Sequence, residues 1–270
     1  MKRPLFLQVT IGLLLLMGSA IGQNATTYTV GAGVWMPGYA LVYTGSQDDM
    51  EDYELGSGTY FGPYLAVNHG RWNFGASLLV GTLSPDDKEM LWEGYEAKRT
   101  DVNLTVGYRV ISTSSVSGNL FAGLKYVREN ATADNWLWSG YTVDTWEFIQ
   151  WYDEYDATSS GTLYGAGASL VVPFGASNFY AYGSMAYLLG SMDLENELDS
   201  TEINPEGYSS WDESYDLHLF ALTAGIGYRF PDGIGLNLGY RGDLFGQDDS
   251  DEADYSQRLS GIVLNASYTF

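Results

Sequence analysis

Gly261-Ile262-Val263-Leu264-Asn265-Ala266-Ser267-Tyr268-Thr269-Phe270 closes the chain, and its alternation decides the fold. Large or apolar groups occupy Ile262, Leu264, Ala266, Tyr268 and Phe270, while small or polar groups fill Gly261, Asn265, Ser267 and Thr269. Successive side chains of a strand point to opposite faces, so this stretch reads as a strand with one greasy face and one wet face.

The same pattern recurs upstream. One segment sets Ile234, Leu236, Leu238 and Tyr240 against Gly235, Asn237, Gly239, Arg241 and Asp243. Another sets Phe220, Leu222, Ala224, Ile226 and Tyr228 against Leu219, Ala221, Thr223, Gly225, Gly227 and Arg229, and a third sets Val102, Leu104, Val106, Tyr108 and Val110 against Asp101, Asn103, Thr105, Gly107 and Arg109. In all three the charges share the Gly-rich face. An alternating chain that stops on an aromatic residue resembles the Gram-negative outer-membrane β-barrel superfamily. The resemblance implies that the last strand is read by the barrel-assembly machinery. Within a barrel the apolar face meets lipid and the Gly-rich face meets the lumen, because an arginine turned to lipid costs roughly 2–4 kcal/mol near the midplane.

The N-terminus fits that destination. Lys2 and Arg3 precede an apolar run from Ile11 to Met17 and the small residues Gly18, Ser19, Ala20 and Gly22, the layout of a secretory signal peptide over residues 1–22. No later segment reaches the eighteen or so apolar residues of a membrane helix, so crossing a membrane requires a closed barrel. Residues 23–270 then form one barrel domain, and no further domain is expected after Phe270. The chain has no cysteine, which excludes disulfides, thiolate metal sites and a cysteine nucleophile.

Alternating segments number about ten, near 27–37, 58–68, 71–82, 97–111, 118–128, 159–172, 178–190, 217–229, 233–244 and 257–270. The fold expected is an all-β, antiparallel up-and-down transmembrane barrel of about ten strands, with eight or twelve as alternatives. The segment from Phe179 to Gly190 is apolar on both faces and cannot be phased. Connections alternate between short turns (His69-Gly70, 112–117, 174–177, Pro231-Asp232) and long loops (38–57, 83–96, 129–158, 191–216, 245–256). Those five loops hold 31 of the 34 acidic residues, a sorting that a soluble sandwich has no reason to make. Short periplasmic turns and long extracellular loops account for it.

Removal of Lys2 and Arg3 leaves ten bases against 34 acids. An acidic exterior excludes nucleic acid as a partner and favours cations. The partners expected are outer-membrane lipid and lipopolysaccharide, bridged by divalent cations, for a monomeric barrel without a cofactor. Asp248, Asp249, Asp251, Glu252 and Asp254 form the densest carboxylate group, but they lack the glycine and the terminal glutamate of an EF-hand loop.

Lumen-facing charges are expected at Arg71, Arg99, Asp101, Arg109, Lys125, Arg229, Arg241 and Asp243. Asp101 can pair with Lys125, and Asp243 with Arg241 or Arg99. Either ion pairs plug the lumen, or a narrow pore has a basic waist, with lumen glycines leaving room for water. Ten strands is also the strand number of the omptin proteases, which implies two acids in the second loop and an Asp-x-His in the fourth. Asp86-Asp87 and Asp216-Leu217-His218 lie there, yet Asp86 and Asp87 are adjacent, and His218 shares parity with Phe220 and Leu222 and so faces lipid. The loop 129–158 carries Trp136, Trp138, Trp146, Trp151 and Tyr152, either a packed cap or an exposed platform for a partner. The reading favoured is a non-catalytic surface scaffold or binding barrel, with a diffusion pore and an omptin-like protease as alternatives.

Overall fold

The computed structural model describes residues 26–44, 50–84, 96–141, 148–199, 208–247 and 254–270. Ten strands run through them: β1 (Thr26–Thr44), β2 (Met50–His69), β3 (Trp72–Ser84), β4 (Glu96–Ser112), β5 (Ser117–Tyr141), β6 (Phe148–Pro173), β7 (Phe179–Asp199), β8 (Tyr208–Arg229), β9 (Ile234–Gln247) and β10 (Asp254–Thr269). Each pairs antiparallel with its sequence neighbours, and β1 pairs with β10, so the sheet closes into a barrel with no free edge. The terminal residue takes part in that closure. Tyr28 N donates to Phe270 O and Phe270 N to Tyr28 O, both at 2.9 Å, and the two rings stack 5.7 Å apart.

Four tight connections lie at one end. Gly70, Gly175 and Gly233 hold φ values of 60°, 60° and 94° in three of them, a backbone region open to glycine and strained for other residues. The fourth is tied by Thr113, whose N–H donates to Val116 O at 2.9 Å and whose Oγ1 accepts from the N–H of Val116 at 3.0 Å.

The wall is inverted relative to a soluble protein. Leu104, Leu124, Leu222, Leu238, Ile262 and Leu264 are exposed on the outside, as a lipid-facing surface requires. Aromatic groups ring the turn end: Trp72 against Tyr108 at 5.2 Å, Phe179 against Tyr228 at 4.6 Å, and Tyr268 against Phe270 at 6.0 Å. At the other end Tyr164, Tyr187 and Phe220 point outward.

The strands exceed their expected lengths at the loop end. β5 and β6 have 25 and 26 residues, where crossing a bilayer takes about ten. Asp156, Asp193, Glu195, Glu197, Asp212, Glu213 and Asp216, expected in loops, therefore stand exposed on strands β6, β7 and β8. The unphased strand is resolved as well. On β7, Met185, Tyr187 and Leu189 are exposed outside while Leu188 and Met192 are buried inside, so its two apolar faces meet lipid and an apolar interior.

Candidate functional site: the closed lumen

At the loop-side end of the wall, the inward residues form a layer of charge. Arg99 and Asp101 on β4 share an ion pair at 2.8 Å, and Lys125 on β5 lies 2.8 Å from Asp101 and 2.7 Å from Asp243 on β9. Arg241 grips Asp243 with Nε at 3.0 Å and Nη2 at 2.6 Å, and its Nη2 is 3.8 Å from Asp101. Glu129 reaches Arg99 at 3.5 Å. Three bases thus meet three acids. Asp101 and Asp243 are fully buried, and Arg99 and Lys125 nearly so. Since β5 and β9 stand four strands apart around a ring of ten, the Lys125–Asp243 bond crosses the lumen.

Aromatic faces hold the cations in register. The Arg241 guanidinium sits 4.1 Å from the centroid of Trp35, and the Arg99 guanidinium 4.8 Å from that of Phe245. Trp35 packs on Tyr60 at 5.4 Å. Beyond the charges, away from the turns, Tyr39, Leu83, Ala97, Met192, Leu217 and Leu259 continue an apolar core. Each of the ten strands contributes at least one inward residue that is buried in these layers. A continuous aqueous pore needs solvent-exposed lining at every level, and at the level of the charges Arg99, Asp101, Lys125 and Asp243 leave the lining dry.

On the turn side of the charges, rings occupy space that glycine leaves. A Cβ on Gly31 would lie 2.5 Å from Tyr64, and one on Gly167 2.4 Å from Phe121. These lumen glycines therefore seat aromatic rings, where the sequence allowed for water. Tyr180 Oη donates to Asn237 Oδ1 across Gly227, and an amide chain runs from Asn73 through Asn119 to Ser169.

The expected lumen set divides in two. Arg99, Asp101, Lys125, Arg241 and Asp243 come together in the charge layer, whereas Arg71 and Arg229 are exposed at the turn-side rim and Arg109 is half-buried beside them. The strands end at Arg71 and Arg229, so these two stay hydrated at the mouth. Glu129 joins the network although it was assigned to a loop. Its odd-numbered parity with Lys125 and Val127 would have revealed it, had the strand been carried past residue 128.

Of the omptin-like residues, the two that are described stand on the outer wall. His218 stacks on Tyr187 at 6.2 Å on the outer face, and Asp216, two residues away, is exposed on that same face. Asp86 and Asp87 lie outside the described residues, as do Trp146, Asp248, Asp249, Asp251 and Glu252. For Trp136, Trp138, Trp151, Tyr152 and Asp254 only backbone pairing is described. Trp138 pairs with Trp151, and Leu137 with Tyr152. Among the described residues there is no group of three or more His, Asp or Glu side chains able to hold a metal ion.

No family model matches the chain, and no curated protein sequence matches it. Solved structures do. The outer membrane protease OmpT from Escherichia coli superposes with a TM-score of 0.61 at 11% identity, covering 93% of this chain and 99% of that one. The translocator domain of autotransporter NalP from Neisseria meningitidis (TM-score 0.44, 13% identity, 98% and 95% covered) and the P. putida toluene transporter TodX (0.40, 12%, 93% and 91%) are more distant. At such identities the first similarity speaks for architecture and not for activity. The chain has the closed, ten-stranded antiparallel fold of an outer-membrane β-barrel.

Proposed function

We propose that this protein is an exported outer-membrane barrel with a sealed lumen that acts at the cell surface without catalysis. The observation that carries this reading is the buried charge layer, in which Lys125 joins Asp101 and Asp243 across the barrel beneath an apolar core. A channel would waste such a seal. A protease would need its histidine in a cleft, and His218 stands on the outer wall against Tyr187.

With the lumen closed, function moves to the strand extensions. Among the described residues β5 pairs with β4 as far as Thr132 and β6 with β7 from Glu154, and residues 136–141 and 148–153 pair with each other as a β5–β6 ribbon. The pairing register shifts between Ala133 and Trp136, at the base of this ribbon. Trp136, Trp138, Trp151 and Tyr152 belong to this ribbon, and the exposed carboxylates of β6–β8 flank it. Partners that carry positive charge, directly or as divalent cations bridging to lipopolysaccharide, suit such a surface.

Deletion of residues 134–156 tests the reading. The deleted barrel is expected to fold and insert while whole cells lose adherence to the surfaces that the intact protein binds. Unchanged adherence, or peptide cleavage by the intact protein that His218→Ala abolishes, would contradict it.

A further inference from the structure

The lumen is not closed along its whole length. At the charge layer Arg99, Asp101, Lys125 and Asp243 are buried, but the inward residues below it (Asn73, Asn119, Ser169, Tyr180, Asn237 and Asn265 among them) are partly exposed. The lower half is therefore a dead-end vestibule: it opens at the end of the short turns and stops at Lys125 and Asp243. Its wall is made of amides, hydroxyls and ring faces. Among the described inward residues below the charges, the ionised groups are arginines only, Arg109 at the end of β4 and Arg229 at the end of β8, with Arg71 beside Arg109. β4 and β8 are four strands apart, so the cations flank the mouth from opposite sides. Two polar atoms there are buried with no hydrogen-bond partner, Arg109 Nε and Tyr182 Oη.

We infer that this vestibule binds an acidic sugar or a short acidic glycan from the periplasmic side. A cleft of one charge sign with low-dielectric walls concentrates the opposite charge, and here that charge is an anion. Carboxylates are matched by guanidinium groups. The amides of Asn73, Asn119 and Asn237 offer both donors and acceptors, the complement of sugar hydroxyls. Tyr64, Tyr180 and Phe121 present rings to the same space, and a pocket with aromatic walls and a few fixed polar groups is the usual form of a small-ligand site. The sealed upper lumen lets such a ligand enter and leave by one end only.

Titration calorimetry on the mature chain folded in detergent micelles tests this, with trigalacturonate as probe, maltotriose as its neutral counterpart and triglutamate as an anion without sugar hydroxyls. Trigalacturonate is expected to bind one per barrel, at least about tenfold tighter than either comparator, and to weaken as salt is added. Arg109→Gln and Arg229→Gln should each weaken it by about tenfold or more, as expected for loss of a charged hydrogen-bond donor. Arg128→Gln, on the outer face of β5, should change nothing. Equal binding of triglutamate would reduce the site to general anion attraction, and equal binding of maltotriose would remove the arginines from it. Either result, an absence of binding, or an equal loss in Arg128→Gln would overturn the inference. The outcome is independent of the ribbon deletion, which tests the surface role.

Discussion

Removing one carboxylate from the charge layer should destabilise the barrel by more than removing the lysine beside it. Asp243 accepts from Lys125 at 2.7 Å and from Arg241 at 2.6 and 3.0 Å. Asp243→Leu leaves three bases facing Asp101 and the partly exposed Glu129, and the nearest remaining acid to Arg241 is Asp101 at 3.8 Å. A buried charge stripped of its partner costs about 3–5 kcal/mol. Lys125→Met differs, because Arg99 still pairs with Asp101 and Arg241 with Asp243. Its cost is expected to be about half as large. In the double variant Arg99 and Arg241 face Asp101 and Glu129, so charge balance returns, and about 2 kcal/mol or more of the Asp243→Leu loss should be recovered as a coupling energy. Urea unfolding of the barrels in lipid vesicles, followed by tryptophan emission and gel mobility, measures all three. Trp35 lies under Arg241 and reports on the layer directly. Asp243→Leu within about 1 kcal/mol of the parent, or strictly additive losses, would refute the claim that these six charges act as one network.

Other perturbations address the wall, the packing and the outer face. Leu264→Arg turns a charge toward lipid and should cost roughly 2–4 kcal/mol in the same unfolding assay, whereas Asn265→Ser, facing the lumen, should be tolerated; equal tolerance would reverse the assigned faces. A Cβ at Gly31 would meet both Ala266 O and Tyr64 at 2.5 Å, so Gly31→Val should destabilise the barrel, and pairing it with Tyr64→Ala should recover only the part due to the ring. His218→Ala should leave folding intact, with fluorogenic peptides uncleaved by parent and variant alike.

Much of this architecture is legible in the sequence for a simple reason. Within the membrane, lipid and lumen impose opposite chemistry on alternate residues, so the strands with Leu104, Leu222, Leu238 and Leu264 declare both their existence and their phase. Their upper ends are not legible in the same way. On β7 the run Met192-Asp193-Leu194-Glu195-Asn196-Glu197 still alternates, with Met192 and Asn196 buried and the three acids exposed, yet its charge reads as a loop. Water has replaced lipid outside while the interior has turned from glycine to apolar core. The same blind spot hid Glu129. Individual pairings were closer to the surface of the sequence, since neighbouring strands place Asp101 near Lys125 by register, but the cross-lumen bond from Lys125 to Asp243 depends on barrel curvature. The aromatic filling of Gly31 and Gly167 depends on side-chain direction, which glycine content alone does not give.

Single-channel recording on the refolded mature chain in a planar bilayer tests the central claim most directly. The layer of buried Arg99, Asp101, Lys125 and Asp243, with Arg241 half-buried beside them, predicts a correctly folded barrel that is electrically silent. The Lys125→Met and Asp243→Leu variants should begin to flicker as the layer loosens. Steady, ohmic openings of the unaltered protein would contradict the sealed lumen and return the molecule to the class of diffusion pores.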